Sequence, residues 1–293
     1  MLIFQYYSCH FKKWLILVEI FSKKNMKNKV VIISGASSGI GKALAEEFSK
    51  RGSKVVMAAR NLDKLNEIAS ILKQNNQHIL TVKTDVSKED QCKRLVEKTI
   101  ETFGQIDILI NNAGISMRAL FEELDLKVIK DLMDVNFWGT IYCTKYALPY
   151  LLKSHGSVVG VSSIGGYKGL PGRTGYSASK FAIHGFLEVL RIENLKKNLH
   201  VMIACPGFTS SNIRNTALGK DGNQQGESPR DESKMMSAEK VAVYIANAIK
   251  KRKRSLILTN QGKMTVLLNK FIPYYLDKMV YKHMAKEPGS PFK

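Results

Sequence analysis

The sequence contains few cysteines, and none of them belongs to a recognisable motif. Four occur in 293 residues, at positions 9, 92, 143 and 205. No two have the Cys-x-x-Cys spacing of a redox or zinc motif, and none forms a metal-ligand cluster with histidine. Scattered cysteines of this kind are typical of a reducing compartment. We therefore expect a cytoplasmic protein without disulfides and without a metal site.

The sequence also lacks an apolar run long enough to cross a membrane, which takes about 20 residues. The apolar run at residues 14–18 ends at Glu19. Lys12 and Lys13 precede it as in a signal peptide, but no small-x-small cleavage site follows. We favour the interpretation that Met26 is the true start and that residues 1–25 lie outside the fold. A weak membrane anchor is the alternative.

Acidic residues are scarce: 25 Asp and Glu stand against 45 Lys and Arg, which gives a net charge of +20. Most of the excess lies at the two ends of the chain, in residues 1–29 and 250–293. A nucleic-acid enzyme more often lines a groove of its folded body with positive charge. We therefore expect no nucleic-acid partner. The basic ends fit solvated tails or a peripheral contact with a membrane surface.

Between the two ends, apolar runs alternate with segments of helical periodicity. The predicted strands are residues 30–34, 54–59, 78–83, 106–111, 157–162, 200–205 and 255–259. The predicted helices are residues 42–51, 61–74, 88–103, 124–135, 137–153, 176–196 and 238–250. Repeated strand–helix units imply an α/β fold whose parallel sheet is covered by helices on both faces. Ligands of such sheets bind beyond the carboxyl ends of the strands.

Two segments do not fit this alternation. Residues 219–233 are polar and predict a mobile loop before the last helix. Residues 263–284 are amphipathic or irregular, and Pro273 is expected to bend or end any helix there. Lysines recur among the apolar side chains of this second segment, which allows two interpretations. Either it packs on a substrate cleft with its lysines in water, or it lies on an anionic membrane.

A glycine-rich turn connects the first predicted strand to the first predicted helix. It reads Gly35-x3-Gly39-x-Gly41. Glycines in this position let the backbone approach a pyrophosphate, which the free N–H groups of the helix N-terminus then bind. An ordinary turn is the alternative, because the spacing departs from Gly-x-Gly-x-x-Gly and a glycine motif alone is a weak signal.

A tyrosine and a lysine stand four residues apart near the start of a predicted helix. Residues i and i+4 lie on the same helix face, so the Tyr176 phenol and the Lys180 ammonium are neighbours. A free tyrosine has a pKa of about 10, and a nearby cation lowers that pKa toward neutrality. The pair therefore suits proton exchange with a substrate. Taken alone, it also fits a solvated helix face.

Taken together, four motifs resemble the short-chain dehydrogenase/reductase family. They are Ser34-Gly35-x3-Gly39-Ile40-Gly41, Asn111-Asn112-Ala113-Gly114, Ser163, and Tyr176-x3-Lys180. The resemblance spans about residues 28–260, and Ser34 stands where the family usually has threonine. It implies one Rossmann-type, doubly wound domain of about seven parallel strands over residues 26–260. A basic, aromatic segment, residues 261–293, follows this domain.

The resemblance implies a role for each matching residue. Tyr176 is expected to be the catalytic acid or base, and Lys180 to lower the pKa of Tyr176 and to hold the nicotinamide ribose. Ser163 is expected to polarise the substrate oxygen, and Asn136 to support a proton relay. The residues expected to bind the cofactor are Gly35, Ser37, Ser38, Gly39, Ile40, Arg60, Asp85, Val86, Asn112, Ala113, Gly114, Tyr176, Lys180, Pro206, Gly207 and Thr209.

The cofactor preference is read at the end of the second predicted strand. An acidic residue there would bond the ribose 2′-hydroxyl of NAD(H) and repel a 2′-phosphate. This chain has Arg60 and no carboxylate before Asp63. Arg60 can pair with a phosphate, so NADP(H) is favoured. If Arg60 is only a surface residue, NAD(H) binds as well.

The expected function is hydride transfer between NADP(H) and a carbonyl or secondary alcohol, with an apolar small-molecule substrate. The alternative is a non-catalytic nucleotide-binding or membrane-surface scaffold that keeps the fold. We also expect a homodimer or homotetramer, because the helices at 137–153 and 176–196 are too apolar to face water. Their apolar residues are Phe137, Trp138, Ile141, Tyr142, Phe186 and Leu190.

Overall fold

Seven parallel strands form a single sheet in the order β3-β2-β1-β4-β5-β6-β7. The computed structural model describes residues 26–226, 235–286, 290 and 292. The strands are β1 Val30–Ser34, β2 Lys54–Ala59, β3 Ile79–Lys83, β4 Ile108–Asn111, β5 Ser157–Val161, β6 His200–Cys205 and β7 Ser255–Ile257. The predicted fold class, a doubly wound parallel sheet of about seven strands, is confirmed.

The strands β1 and β6 are apolar except for Ser34 and His200 at their ends, because both of their faces are buried. Every residue of β1 and β6 is buried, which is the pattern of a parallel sheet between helical layers. Three strands have the predicted bounds. The fourth strand begins at Ile108 rather than at 106, because the Asp107 side chain bonds to the start of the neighbouring strand. The Asp107 carboxylate accepts from Val30 N at 2.9 Å and from Lys29 Nζ at 2.7 Å.

Helices cover both faces of the sheet. On one face lie α1 Gly39–Lys50, α2 Leu62–Lys73 and α7 Ala238–Lys250. On the other face lie α3 Glu89–Phe103, α5 Gly139–Lys153 and α6 Thr174–Glu193, with α4 Leu126–Leu132 beside α6. The strand order reverses at β1, whose neighbours are β2 and β4. A crevice opens at the carboxyl ends of the strands where such a reversal occurs.

The segment predicted as two helices, 124–135 and 137–153, is one helical run with a different register in its middle. A π-helical stretch, Met133–Trp138, joins α4 directly to α5. Each such turn holds one more residue than an α-helical turn, which rotates the side chains that follow. Asn136 lies in this stretch and is fully buried. The break that the sequence suggests between two helices is therefore a change of helical pitch.

Two helices follow the sheet at the C-terminal end: α8 Asn260–Phe271 and α9 Pro273–Ala285. Pro273 is the first residue of α9, so its predicted effect on the helix is confirmed. The ion pair of Lys168 with Asp277 and the bond from Asn269 Nδ2 to Tyr167 O, at 2.9 Å, hold both helices against the loop after β5. None of the helices that the structure describes has the length and hydrophobicity of a membrane span.

Some expectations lie outside the described residues. These are the interpretation of residues 1–25 and the part of the predicted mobile loop from 227 to 233. The described part of that loop contacts the body of the protein. Asp125 N donates to Lys220 O at 2.9 Å, and Gln225 Nε2 donates to Arg118 O at 3.2 Å.

The outer faces of α5 and α6 keep apolar side chains in contact with water. Trp138 and Phe181 are about half exposed, and Val189 and Ile192 more than half. Six apolar side chains of these helices were named from the sequence. Trp138 is exposed and Leu190 is buried, and the remaining four are half-buried: Phe137, Ile141, Tyr142 and Phe186. Exposed apolar side chains on one surface favour association. The homo-oligomer therefore remains a prediction, although fewer of the named side chains are exposed to a partner than the sequence suggested.

We expect a homodimer or homotetramer in which these two helices pack against their copies around a two-fold axis. Light scattering at micromolar concentration should give at least twice the monomer mass. Val189→Glu should shift the population to monomers, whereas Lys196→Glu, beyond the end of α6, should not. A monomeric wild-type protein at that concentration contradicts the prediction.

Candidate functional site

The crevice at the carboxyl edge of the sheet is a cleft of about 1040 Å³. It is lined by every residue predicted to bind a cofactor and by three of the four residues predicted to be catalytic, Ser163, Tyr176 and Lys180. Asn136 is the exception, because it is fully buried behind the cleft wall. The structure therefore brings together residues that lie as far apart in the sequence as Gly35 and Thr209.

The glycine-rich turn forms the floor of one end of this cleft. Helix α1 begins at Gly39, its first turn carries no acidic residue, and the Ser38 side chain makes no capping hydrogen bond. Gly35 has φ +68°, and a Cβ on Gly41 would lie 2.1 Å from Gly35 O. Only glycine fits such a close approach of two backbone segments. Open N–H groups beside a bare backbone fit the phosphates of a dinucleotide.

Ser34 and Asn112 join the carboxyl ends of β1 and β4. Ser34 Oγ accepts from the N–H groups of Asn112 and Ala113, both at 3.0 Å. The Asn112 side chain donates to Ser34 O at 3.0 Å and to Gly35 O at 3.3 Å. A serine hydroxyl thus serves here in place of the threonine that the resemblance suggests. Asn111, the first residue of the same motif, is buried and donates to Thr144 Oγ1 at 3.0 Å.

Asp85 and Arg60 follow adjacent strands at the far end of the cleft. One Asp85 carboxylate oxygen accepts from the Ser87 amide at 3.0 Å and from its hydroxyl at 2.8 Å, which fixes the turn after β3. Arg60 follows β2 directly, and its side chain is exposed at the cleft rim. Lys83 lies near it, because Arg60 and Lys83 line one shallow depression. Asp63 lines the same depression, so two cations and one carboxylate surround it.

Ser163, Tyr176 and Lys180 converge in the centre of the cleft. Ser163 follows β5, and its Oγ accepts from Gly165 N at 3.0 Å. Ser163 Oγ and the Tyr176 ring both lie beside Gly165, and Ser163 acts to lower the pKa of the Tyr176 phenol. Lys180 is buried one turn further along α6, with Nζ donating to Val161 O at 3.0 Å and lying 5.7 Å from the centre of the Tyr176 ring. Two hydroxyl groups thus face one point in the cleft, with a cation behind them.

The pKa of Tyr176 is raised above its ordinary value of 10, chiefly because burial disfavours the phenolate. The hydrogen bond with Ser163 and the charges of Arg173 and Arg214 oppose this shift. Lys180 is not among the groups that shift the pKa of Tyr176, so its expected effect on the phenol remains a prediction. Burial also lowers the pKa of Lys180 to about 8, which weakens the ammonium as a source of positive charge.

Asn136 holds the loop after β4 instead of facing the cleft. Its Oδ1 accepts from Ile115 N at 2.8 Å, and its Nδ2 donates to Ile115 O at 3.0 Å and to Ser179 Oγ at 2.9 Å. Both amide hydrogens are therefore in use. The predicted part of Asn136 in a proton relay remains a prediction, and the contacts establish a second task that the sequence did not suggest.

The loop after β6 closes the cleft beside these residues. Thr209 Oγ1 donates to Gly207 O at 3.1 Å, and Arg214 Nη2 donates to Thr209 O at 2.6 Å. A Cβ on Gly207 would lie 2.6 Å from the Thr259 side chain, so the loop packs tightly on the start of α8. The predicted residues Pro206, Gly207 and Thr209 all line the cleft.

The sequence did not identify all of the residues that line the cleft. Helices α8 and α9 form one wall of it, and Arg173 and Arg214 contribute two guanidinium groups. The apolar residues of this wall are Met264, Leu268, Leu276, Met279, Val280 and Met284. Of the two interpretations of the C-terminal segment, packing on the cleft is confirmed. In the sequence, only the recurring lysines of this segment indicated that one face of it is exposed to water.

Sequence comparison places the chain among known oxidoreductases. The family model for short chain dehydrogenase matches residues 29–221. The Dehydrogenase/reductase SDR family protein 7-like of Dictyostelium discoideum is 38% identical over 267 residues, which are 89% of this chain and 83% of that protein. The 11-beta-hydroxysteroid dehydrogenase 1A of Arabidopsis thaliana is 41% identical over 222 residues, and the chain spans 62% of its length.

Solved structures share the fold. A short chain dehydrogenase/reductase from Burkholderia phymatum, in complex with NAD, superposes with a TM-score of 0.75 at 24% identity and covers 84% of this chain and 94% of its own. An alcohol dehydrogenase from Thermococcus sibiricus, complexed with 5-hydroxy-NADP, gives a TM-score of 0.70 at 24% identity, with 78% and 94% covered. At this level of identity the likeness concerns the fold.

Proposed function

The chain belongs to the short-chain dehydrogenase/reductase family, and we propose that it is an NADP(H)-dependent oxidoreductase acting on an apolar carbonyl or secondary alcohol. The observation that carries the proposal is the convergence of Tyr176 and Ser163 on one point, with Lys180 behind them, in the cleft that also contains the glycine-rich turn. A non-catalytic scaffold that kept the fold would have no need of this arrangement.

The residues of the cleft divide the chemistry between them. NADPH, when bound, supplies the hydride. The hydroxyl groups of Ser163 and Tyr176 donate hydrogen bonds to the substrate oxygen, where negative charge builds up during the transfer. Tyr176 then gives that oxygen its proton. Because burial keeps the phenol protonated near neutral pH, the protein by itself is prepared for carbonyl reduction.

The preference for NADP(H) is supported by charge at the rim of the cleft. Arg60 is exposed where β2 ends, and Lys83 lies beside the same depression. The nearest carboxylate along the chain, Asp63, lies in the first turn of α2 and lines the same depression. The two cations outnumber this one carboxylate, and no acidic residue stands directly after β2 to bind a free 2′-hydroxyl.

The apolar character of the substrate is supported by the wall that α8 and α9 contribute. Ile164, beside Ser163, lines the same space. Three side chains of this wall are methionines, which are unbranched and polarizable and therefore adapt to the shape of an apolar ligand.

Contact with a membrane is a further part of the proposal, and the outer surface of α8 and α9 supports it. Large apolar side chains that do not line the cleft are more than half exposed there: Leu267, Phe271, Tyr274 and Tyr275. Exposed lysines lie among them, at positions 263, 270, 278 and 282. Aromatic residues next to cations suit the interface of an anionic bilayer, where each lysine contributes about 1 kcal/mol.

Sedimentation with vesicles tests this contact. The full chain should pellet with anionic vesicles at low salt, stay in solution with neutral vesicles, and be released at high salt, because the lysine contribution is screened. Phe271→Ser with Tyr275→Ser should reduce pelleting, whereas Tyr150→Ser on α5 should not. A protein that stays in solution with anionic vesicles at low salt is cytoplasmic by this criterion.

A turnover screen tests the main function. The purified protein is incubated with NADPH or NADH and a panel of apolar ketones and aldehydes, and with NADP⁺ or NAD⁺ and the matching alcohols. We expect cofactor-dependent reduction of at least one ketone, faster with NADPH. Tight cofactor binding without turnover of any carbonyl or alcohol would favour the scaffold.

A further inference from the structure

A buried histidine lies on the same face of α6 as Tyr176 and Lys180. His184 follows Lys180 by four residues and Tyr176 by eight, so the three side chains form one stripe along the helix. Only 7% of His184 is exposed. Among the described residues it stands behind the lining of the cleft rather than in it. Any part that His184 has in the chemistry is therefore exerted through its neighbours.

The imidazole bonds to the residue that precedes Ser163. His184 Nε2 lies 2.8 Å from Ser162 Oγ. One turn earlier, Lys180 Nζ donates to Val161 O at 3.0 Å. Two side chains of the stripe thus hold two successive residues at the point where β5 ends, and Ser163 is the next residue of the chain.

The same ring supports the turn that follows Ser163. A Cβ on Gly166 would lie 2.6 Å from His184 Nε2, so the imidazole packs directly against this glycine. Gly166 N donates to Ser163 O at 3.0 Å, and Gly165 N donates to Ser163 Oγ at 3.0 Å. His184 therefore contacts the chain on both sides of Ser163.

The direction of the Ser163 hydroxyl depends on this turn. Because Ser163 Oγ accepts from Gly165 N, its hydrogen is the part that can donate to a substrate oxygen. A Cβ on Gly165 would lie 3.2 Å from Tyr176 Cε1 and 3.5 Å from Ser163 Oγ, so the turn adjoins both reacting groups. A displacement of about 1 Å at such a place can lower a rate about 10²-fold.

His184 is neutral near neutral pH. Burial and the charge of Lys180 lower its pKa to about 4. A neutral imidazole has one donor and one acceptor nitrogen, so it shares a hydrogen bond with Ser162 without placing a second charge beside Lys180. The ring is also held from two sides. Tyr167 packs edge-on against it at 4.6 Å between ring centres, and Cys205 Sγ lies 3.8 Å from Nε2.

We propose that His184 is a positioning residue, which holds the hydroxyl of Ser163 in line with the phenol of Tyr176. It acts through its bond to Ser162 and its contact with Gly166, and it touches neither substrate nor cofactor. The inference rests on the proposed function, because Ser163 needs a fixed direction only if its hydroxyl donates to a reacting oxygen.

A double-mutant cycle tests this role with NADPH and the ketone that the turnover screen identifies. His184→Leu should lower kcat about tenfold and leave KM for NADPH within about twofold. In a Ser163→Ala background the same substitution should change kcat by less than about twofold, because the hydroxyl that it positions is gone. His184→Gln keeps a hydrogen-bonding group in this place and should retain most of kcat.

His200→Leu is the matched control. His200 is similarly buried, and its Nδ1 lies 2.9 Å from Ser157 Oγ, at the opposite ends of the same two strands. Its loss removes a comparable buried hydrogen bond far from the cleft and should leave kcat within about twofold. An equal fall of kcat in both backgrounds of the cycle overturns the proposal, and so does an equal fall in His184→Leu and His200→Leu. Either result indicates general destabilisation.

Hydrogen exchange provides a readout that does not need turnover. With NADP⁺ saturating, the peptide of residues 163–168 should exchange about threefold or more faster in His184→Leu than in the wild type, and His200→Leu should not change it. If no carbonyl compound is reduced but exchange rises in this way, the proposed function fails and the support of the turn by His184 stands. If ketones are reduced but His184→Leu matches the wild type in kcat, the inference fails and the proposed function stands.

Discussion

Tyr176→Phe is expected to lower kcat by about 10²–10⁴-fold, the range in which a positioned general acid contributes. The substitution removes only the hydroxyl that faces Ser163. The ring stays in place beside Lys180, 5.7 Å from its Nζ. The fold and the affinity for the cofactor should therefore persist while proton transfer is lost. The measurement is kcat and the dissociation constant of NADPH, with unfolding by heat as a check on the fold.

Tyr167→Phe is the matched control. Tyr167 lies near the same loop, packs edge-on against His184, and has a pKa that burial raises to about 12. It does not line the cleft in the residues that the structure describes. Loss of its hydroxyl should change kcat by less than about twofold. Near-normal activity of Tyr176→Phe, or equal losses in the two variants, would remove Tyr176 from its assigned role.

Arg60→Ala is expected to weaken NADPH roughly tenfold or more while leaving NADH nearly unchanged. Only NADPH carries the 2′-phosphate, and a hydrogen bond to a charged group contributes about 1.5–3 kcal/mol. The exposed position of Arg60 at the cleft rim means that water screens part of this energy, so the lower end of the range is expected. The measurement is kcat/KM for each cofactor with one substrate.

Lys64→Ala serves as the control for Arg60. Lys64 is exposed on α2 and lines neither the cleft nor the depression beside it. Its removal lowers the positive charge of the same region without touching the rim. Equal losses of NADPH and NADH in Arg60→Ala would refute a phosphate contact, and an equal effect of Lys64→Ala would reduce the contact to general electrostatic attraction.

The strands could be predicted because each is buried on both faces. Val30–Ser34 and His200–Cys205 lie between two helical layers, so their sequences are continuous apolar runs with clear ends. The residues of the cleft followed from topology, since polar positions after parallel strands meet at one edge. Where a polar side chain sets the boundary, as Asp107 does before β4, hydrophobicity predicted the start of the strand two residues too early.

Three features were not legible in the sequence for distinct physical reasons. The π-helical stretch around Asn136 depends on hydrogen-bond register, which a pattern of apolar residues does not encode. The raised pKa of Tyr176 depends on burial by distant parts of the chain. Arg173 and Arg214 line one cleft because distant parts of the chain fold together, and no local spacing relates them.

The bonds between the C-terminal helices and the loop after β5 have a consequence for selectivity. Asp277 on α9 holds Lys168, and Asn269 on α8 holds the carbonyl of Tyr167, in the loop that begins at Ser163. A ligand that pushes α8 or α9 outward therefore also moves the loop that begins at Ser163, whose hydroxyl is assigned to the hydrogen bond with the substrate oxygen. The width of the apolar wall and the alignment of Ser163 are mechanically coupled, so an oversized substrate would bind at the expense of its own reactivity.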